Sequence, residues 1–150
     1  EKNTVTKMIF VNLPVADLTA ATNFYLAIGC TKNDQFSNER ASCMVWSDSI
    51  FFMLLTHEFY STFTDKPIAD NAKASAMLLA LSRDSRADVD AIAEAAGKAG
   101  GTADVRPIQD MGFMYSRTFA DPDGNVFEPM WMDMAAASNM SEEEFHMKEA

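Results

Sequence analysis

Histidine is nearly absent. The 150-residue chain holds two, His57 and His146, so any site that needs three or more imidazoles from one chain is excluded. Cysteine is as scarce. Cys30 and Cys43 have neither metal spacing nor redox-pair spacing. Cys43 lies in the apolar run Cys43-Met44-Val45-Trp46 and reads as a packed side chain. As a nucleophile it would need a nearby base, and the pattern offers no histidine close to it. No apolar run is long enough to span a bilayer, so no membrane partner is expected. Positive charge is short as well: 12 Lys and Arg against 22 Asp and Glu give a formal net charge of −10 and a pI near 4.5. Without a basic stripe to displace counterions, nucleic acid is not an expected partner. The charge is compatible with a cationic ligand. The first residues, Glu1-Lys2-Asn3-Thr4, lack the charged-then-apolar layout of an export signal, and a reducing cytoplasm is the expectation.

What the chain has is apolar residues, 48% of the total, enough for one domain or two half-domains sharing a core. Residues 8–14 read as a strand ended by Pro14. Asp17 caps a helix from Leu18 to Ile28, with Leu18, Ala21, Phe24, Tyr25 and Ile28 at helical spacing and Gly29 as its stop. Three short strands follow at about 32–37, 41–47 and 50–56. After a mixed connection over 58–74 the order repeats. A strand over 76–82 leads to a helix capped by Asp84 or Ser85, with Val89, Ile92, Ala93 and Ala96 on one face. Gly100-Gly101 ends it, and strands over 102–107, 112–119 and 125–132 complete the second set. The predicted fold class is α+β: two β-α-β-β-β modules forming a curved mixed sheet cup. The modules span 8–57 and 75–133 of a 1–133 domain. An acidic tail, 134–150, follows, with a short helix signalled by the capping box Ser141-Glu142-Glu143-Glu144.

The octapeptide Asp121-Pro122-Asp123-Gly124-Asn125-Val126-Phe127-Glu128 reads as a tight turn feeding the last strand. Pro122 suits the first central position of a type I turn and Gly124 its last. The strand carries one carboxylate, Glu128, in an apolar run.

Alternation separates the strand faces. Ile9, Val11 and Leu13 share one side and are expected to face the helix, leaving Phe10 and Asn12 on the other. Phe51, Met53 and Leu55 oppose Phe52, Leu54 and Thr56. Met77, Leu79 and Leu81 oppose Leu78 and Ala80. Phe127 and Trp131 oppose Val126, Glu128, Met130 and Met132. Both faces are largely apolar and need cover on both sides. Helices cover one. A sheet curving onto itself, or a partner subunit, is expected to cover the other and enclose an apolar cavity with Asn12 and Glu128 as its polar groups.

The paired module, the segment Leu13-Pro14-Val15-Ala16-Asp17-Leu18 with Phe24-Tyr25, and the Asp121-Pro122-Asp123-Gly124 turn with Glu128 together resemble the vicinal oxygen chelate superfamily. That superfamily includes glyoxalase I, fosfomycin-resistance proteins, bleomycin-binding proteins and extradiol dioxygenases. The resemblance covers about 8–133. It is nearest to the small bacterial proteins labelled glyoxalase or predicted lactoylglutathione lyase, which Gly112-Phe113-Met114-Tyr115-Ser116-Arg117 also resembles. It implies the glyoxalase/bleomycin resistance fold and a homodimer whose cups are completed at the subunit interface. In metal-dependent members four strand positions hold a divalent ion. By resemblance these fall at Phe10, about Leu54, Leu78 and Glu128, and only the last can ligate. A divalent ion needs roughly four to six oxygen or nitrogen ligands. No metal and no cofactor are therefore expected. His57, just past the fourth strand, reads as a surface residue.

The candidate site residues are Glu128, as an acid or base, and Phe10, Asn12, Leu54, Leu78, Tyr115, Arg117 and Met130 as ligand contacts. A carboxylate among apolar groups favours its neutral form and can serve general acid–base catalysis. Its structural alternative is pairing with Arg117 or a backbone donor. Tyr115 and Arg117 share a side of their strand and would suit an anionic or carbonyl group if that side is the cup face, which the sequence does not fix. The favoured function is a glyoxalase-like protein that binds a small organic molecule in an apolar cup without a metal. The alternative is a lactoylglutathione lyase-like lyase or isomerase, with divergent metal ligation or acid–base chemistry through Glu128. A third reading is a structural or regulatory dimer whose cup is filled by its own side chains.

Overall fold

The computed structural model describes residues 6–140 and Glu143. Contacts divide the chain into two compact units: Glu1–Ser75 with Pro122–Gly124, and Ala76–Asp121 with Asn125–Ala150.

The first unit runs β1 (Ile9–Val15), α1 (Leu18–Ala27), β2 (Thr31–Asn33), β3 (Ala41–Val45), β4 (Ile50–Thr56) and α2 (His57–Tyr60). Its sheet has the order β1-β4-β3-β2. The β1–β4 pair is parallel and the other two are antiparallel. The Asp17 side chain accepts from Ala20 N at 3.0 Å and starts α1. Gly29, at φ +115°, ends it. There Gly29 N donates to Leu26 O and Cys30 N to Tyr25 O, the paired closure that a left-handed glycine permits. Ala21, Phe24 and Tyr25 are buried against the sheet side that carries Leu13, Val15, Phe52 and Leu54. Phe24 and Tyr25 are fully buried, worth about 1.5–3 kcal/mol each. Helix cover on β1 begins only at Leu13, since Ile9 is 56% exposed.

The second unit runs β5 (Leu78–Ser82), α3 (Arg86–Lys98), β6 (Thr102–Ala103), β7 (Gln109–Asp110), β8 (Met114–Ser116), β9 (Phe119–Ala120), β10 (Val126–Met132) and α4 (Met134–Ser138). β10 pairs in parallel with β5 and antiparallel with β8 and β9. The Ser85 side chain caps α3 by accepting from Asp88 N at 3.1 Å. Val89, Ile92, Ala93 and Ala96 form its buried face, as their spacing predicted.

Three strand expectations change. The 32–37 strand stops at Asn33, whose side chain accepts from Gln35 N and starts a 3-10 turn, Asp34–Phe36. The 112–119 strand is interrupted at Arg117 and Thr118. The 102–107 strand breaks after Ala103. Ala103 pairs with Phe119 and Gln109 with Ser116, so five residues, 104–108, stand opposite two, Arg117 and Thr118. That is a large bulge. Asp104 enters it at φ 54°, a left-handed conformation that Asp tolerates better than most residues. The capping box expected at 141–144 lies outside the described residues except for Glu143.

Candidate functional site

Each unit has an open sheet face opposite its helix. In the first unit the register sets Phe10 beside Phe51 and Cys43 beside Met53. The Phe10 and Phe51 rings stack, with centroids 4.5 Å apart and planes 9° from parallel. The 3-10 turn carries Phe36 to the same face. Met8, Phe10, Asn33, Phe36, Cys43, Phe51 and Met53 line a cavity of about 460 Å³. Its wall is almost wholly apolar, yet Met8, Phe10 and Phe36 are 49%, 48% and 64% exposed. Burial pushes the Cys43 thiol up from its ordinary range, so it lines this cavity as a neutral group and not as a nucleophile.

Asn12 lies on the same side as Phe10 by alternation, but its amide donates to Phe10 O at 3.3 Å. That bond stays within β1. Leu54 is a correction. It pairs with Leu13 and is fully buried on the helix side. Alternation gave two faces of β4, and the parallel register assigns the open one to Phe51 and Met53.

In the second unit Leu78, Ala80 and Ser82 share a side with Val126, Glu128 and Met130 by register. Arg106, Pro107, Gln109, Met114, Ser116, Thr118, Glu128 and Met130 line a cavity of about 270 Å³. Glu128 and Met130 thus line one cavity. Leu78 shares their face without lining this cavity. Arg106, Ser116 and Thr118 were missed. They sit on or beside the bulge that sequence reading took for a plain strand.

Tyr115 and Arg117 are also corrected. Both point to the helix side of the sheet. The Arg117 guanidinium meets Asp104 through Nε (2.9 Å) and Nη2 (2.7 Å), Glu94 at 2.8 Å and Asp90 at 3.1 Å. The Tyr115 hydroxyl donates to Asp90 at 2.6 Å. These bonds raise Arg117, with Asp104 as the largest cause. They lower Asp90, the Tyr115 bond first and the Arg117 bond after the opposing cost of burial. Asp104 and the α3 residues Asp90 and Glu94 therefore take up both side chains, and Arg117 does not pair with Glu128. The signal was present: Asp90 and Glu94 are one turn apart, beside the buried stripe of α3.

The Asp-Pro-Asp-Gly turn serves the fold. Buried Asp121 accepts from Asn125 N and Nδ2, both at 2.9 Å, and Asp121 N donates to Asn125 O. This is a three-residue loop with a left-handed glycine last. Asp123 accepts from Ala16 N at 2.9 Å. Gly124 has φ +91°, and a Cβ there would lie 3.2 Å from the Asn71 carbonyl carbon. His57 is exposed, as expected. It lines a separate cavity of about 300 Å³ with Asp70, Asn71 and Asp123.

The chain belongs to the Glyoxalase/Bleomycin resistance protein/Dioxygenase superfamily, whose sequence model matches residues 7–128. Its α+β architecture of two β-α-β-β-β units is the glyoxalase/bleomycin resistance fold. Solved structures agree on that fold. A glyoxalase/bleomycin resistance protein/dioxygenase family enzyme from Burkholderia phytofirmans PsJN is 20% identical, with a TM-score of 0.70 over 85% of this chain and 99% of that one. A glyoxalase-related enzyme from Fulvimarina pelagi is 19% identical, with a TM-score of 0.71 over 85% and 88%. Fosfomycin resistance protein FosX from Mesorhizobium loti is 20% identical, with a TM-score of 0.61 over 92% and 99%. No curated protein matches the chain.

The residues do not fit the divalent ion that metal-dependent relatives hold. The positions expected by resemblance, Phe10, about Leu54, Leu78 and Glu128, offer one carboxylate, and Phe51 and Met53, on the open face beside Leu54, add none. Among the described residues no three His, Cys, Asp or Glu side chains are grouped to hold a metal. No helix among them is long and apolar enough to cross a membrane.

Proposed function

We propose that this chain binds a small organic molecule on the apolar open face of its first unit, without a metal. The observation that carries this reading is the 460 Å³ cavity floored by the stacked Phe10–Phe51 pair and walled by Met8, Phe36, Cys43 and Met53. Exposed aromatic and thioether groups around one concave surface are what a ligand of low polarity needs. Leaving them in water is unfavourable unless something covers them. The proposal includes a homodimer in a reducing cytoplasm. Two buried free thiols, Cys30 and Cys43, suit such a compartment.

A second reading, lyase or isomerase chemistry, is favoured by one observation: Glu128 lines the 270 Å³ cavity beside Ser116 and Thr118. Acid–base work there would put the carboxylate within hydrogen-bond reach of the proton it moves.

Titration with the neutral fluorophore N-phenyl-1-naphthylamine tests the binding reading. One saturable site that is indifferent to EDTA is expected. Phe10→Ala should weaken it roughly tenfold or more, from lost stacking and apolar area, with little loss of melting temperature because Phe10 is half exposed. No saturable site, or loss of binding on chelation, would overturn it.

A further inference from the structure

The 270 Å³ cavity of the second unit has a different chemistry from the apolar face of the first, and its ligand class can be read separately. The 104–108 bulge builds one wall. Its backbone is held at two points on Thr118: Asp104 N donates to Thr118 O at 2.7 Å, and Arg106 N donates to Thr118 Oγ1 at 3.0 Å. Behind it, Arg117 grips the Asp104 carboxylate with two hydrogen bonds. That grip holds Asp104 in its left-handed conformation, and such backbone often marks ligand clamps. The result is an Arg106 whose main chain is fixed at the cavity wall while its side chain lines the cavity.

Glu128 lines the same cavity from β10. Among the described residues, neither Arg106 nor Glu128 has an ion-pair partner within 4.0 Å. The two charges thus face one space without neutralising each other. Thr118 Oγ1 already accepts the Arg106 amide, so its hydroxyl proton is free to donate, and Ser116 adds a second hydroxyl. Met114, Met130 and Pro107 supply the apolar remainder. A plain anion would meet Glu128, and a plain cation would meet Arg106. A molecule carrying both charges meets neither penalty.

We infer that this cavity binds a zwitterion of amino-acid size with an apolar side chain. Its carboxylate lies on Arg106 and the hydroxyls of Ser116 and Thr118, its ammonium on Glu128, and its side chain among Met114, Met130 and Pro107. The inference stands on the second unit alone and does not depend on what the first unit binds.

The test uses L-leucine, 4-methylpentanoate and 3-methylbutylamine, which share a branched side chain and differ in charge. Amide chemical-shift titration of the whole chain reads both affinity and location. L-Leucine should bind at least about tenfold more tightly than either singly charged analogue, as two charge-assisted contacts predict. The shifts should centre on Ser116, Thr118 and Gln109. Arg106→Gln should bring leucine down to the level of the amine, and Glu128→Gln should bring it down to the level of the carboxylate. Equal binding of all three, tightest binding of a singly charged analogue, or no leucine shifts at these amides at millimolar concentration would overturn the inference. The wild-type comparison alone decides it, even if one variant folds poorly.

Discussion

Arg117→Met is the most informative perturbation of the fold. The Arg117 side chain is 7% exposed, and its three carboxylate partners, Asp90, Glu94 and Asp104, are 48%, 58% and 34% exposed. Removing one partner of a buried ion pair costs about 3–5 kcal/mol. Here the acids left behind can rehydrate, so screening moves the expectation to about 2–3 kcal/mol. In a chain of this size each kcal/mol shifts the melting temperature by about 2–4 °C. A fall of about 4–12 °C is predicted by calorimetry at pH 7 and low salt. Methionine keeps the apolar stem, so packing loss is small. The pH dependence separates charge from packing. Three acids left without their shared cation repel one another, although Asp90 keeps its bond from Tyr115, and protonation relieves them, so the gap between wild type and variant should narrow toward pH 4. A shift below about 2 °C, or a gap unchanged by acid, would refute the reasoning.

Gly124→Ala should cost roughly 1–3 kcal/mol in urea denaturation, because it combines φ +91° with a 3.2 Å approach to the Asn71 backbone. Asp104→Asn should be milder than Asp104→Ala in a melting scan, since Asn tolerates the left-handed backbone at φ 54° better. The Asp90 carboxyl is lowered mainly by the Tyr115 bond. Asp110 accepts from Arg86 Nη1 at 2.8 Å and Nη2 at 2.9 Å, and these bonds are the first cause that holds it at about 2. Groups lowered on folding stabilise above the unfolded value of about 3.9 and lose that contribution as pH falls through the folded one. Wild-type stability should therefore decline from about pH 4 toward pH 2, and the Arg86→Met variant should show a shallower decline.

Much of the fold was legible because local signals agreed with packing. Asp17 and Ser85 are caps as well as sequence punctuation, and the α3 stripe of Val89, Ile92, Ala93 and Ala96 is the buried one. Face assignment was harder. Alternation splits a strand into two sides but does not say which side meets a helix. Leu54 was placed by analogy with ligand positions, and its pairing with Leu13 puts it in the core. Tyr115 and Arg117 needed a long-range partner, Asp90, to fix their side. The 104–108 bulge was the largest miss. Asp104 and Pro107 signalled it weakly, but a bulge exists only relative to the strand it pairs with. Arg106 and Thr118 were missed with it.

The central proposal is that this chain binds a small organic molecule without a metal, Glu128 being the one carboxylate at the positions that hold an ion in metal-dependent members. Elemental analysis of protein purified without chelator or added metal tests it most directly. The account predicts Ni, Zn, Mn, Fe and Mg far below one equivalent per chain, unchanged in Glu128→Ala. One bound equivalent that disappears in Glu128→Ala would contradict it.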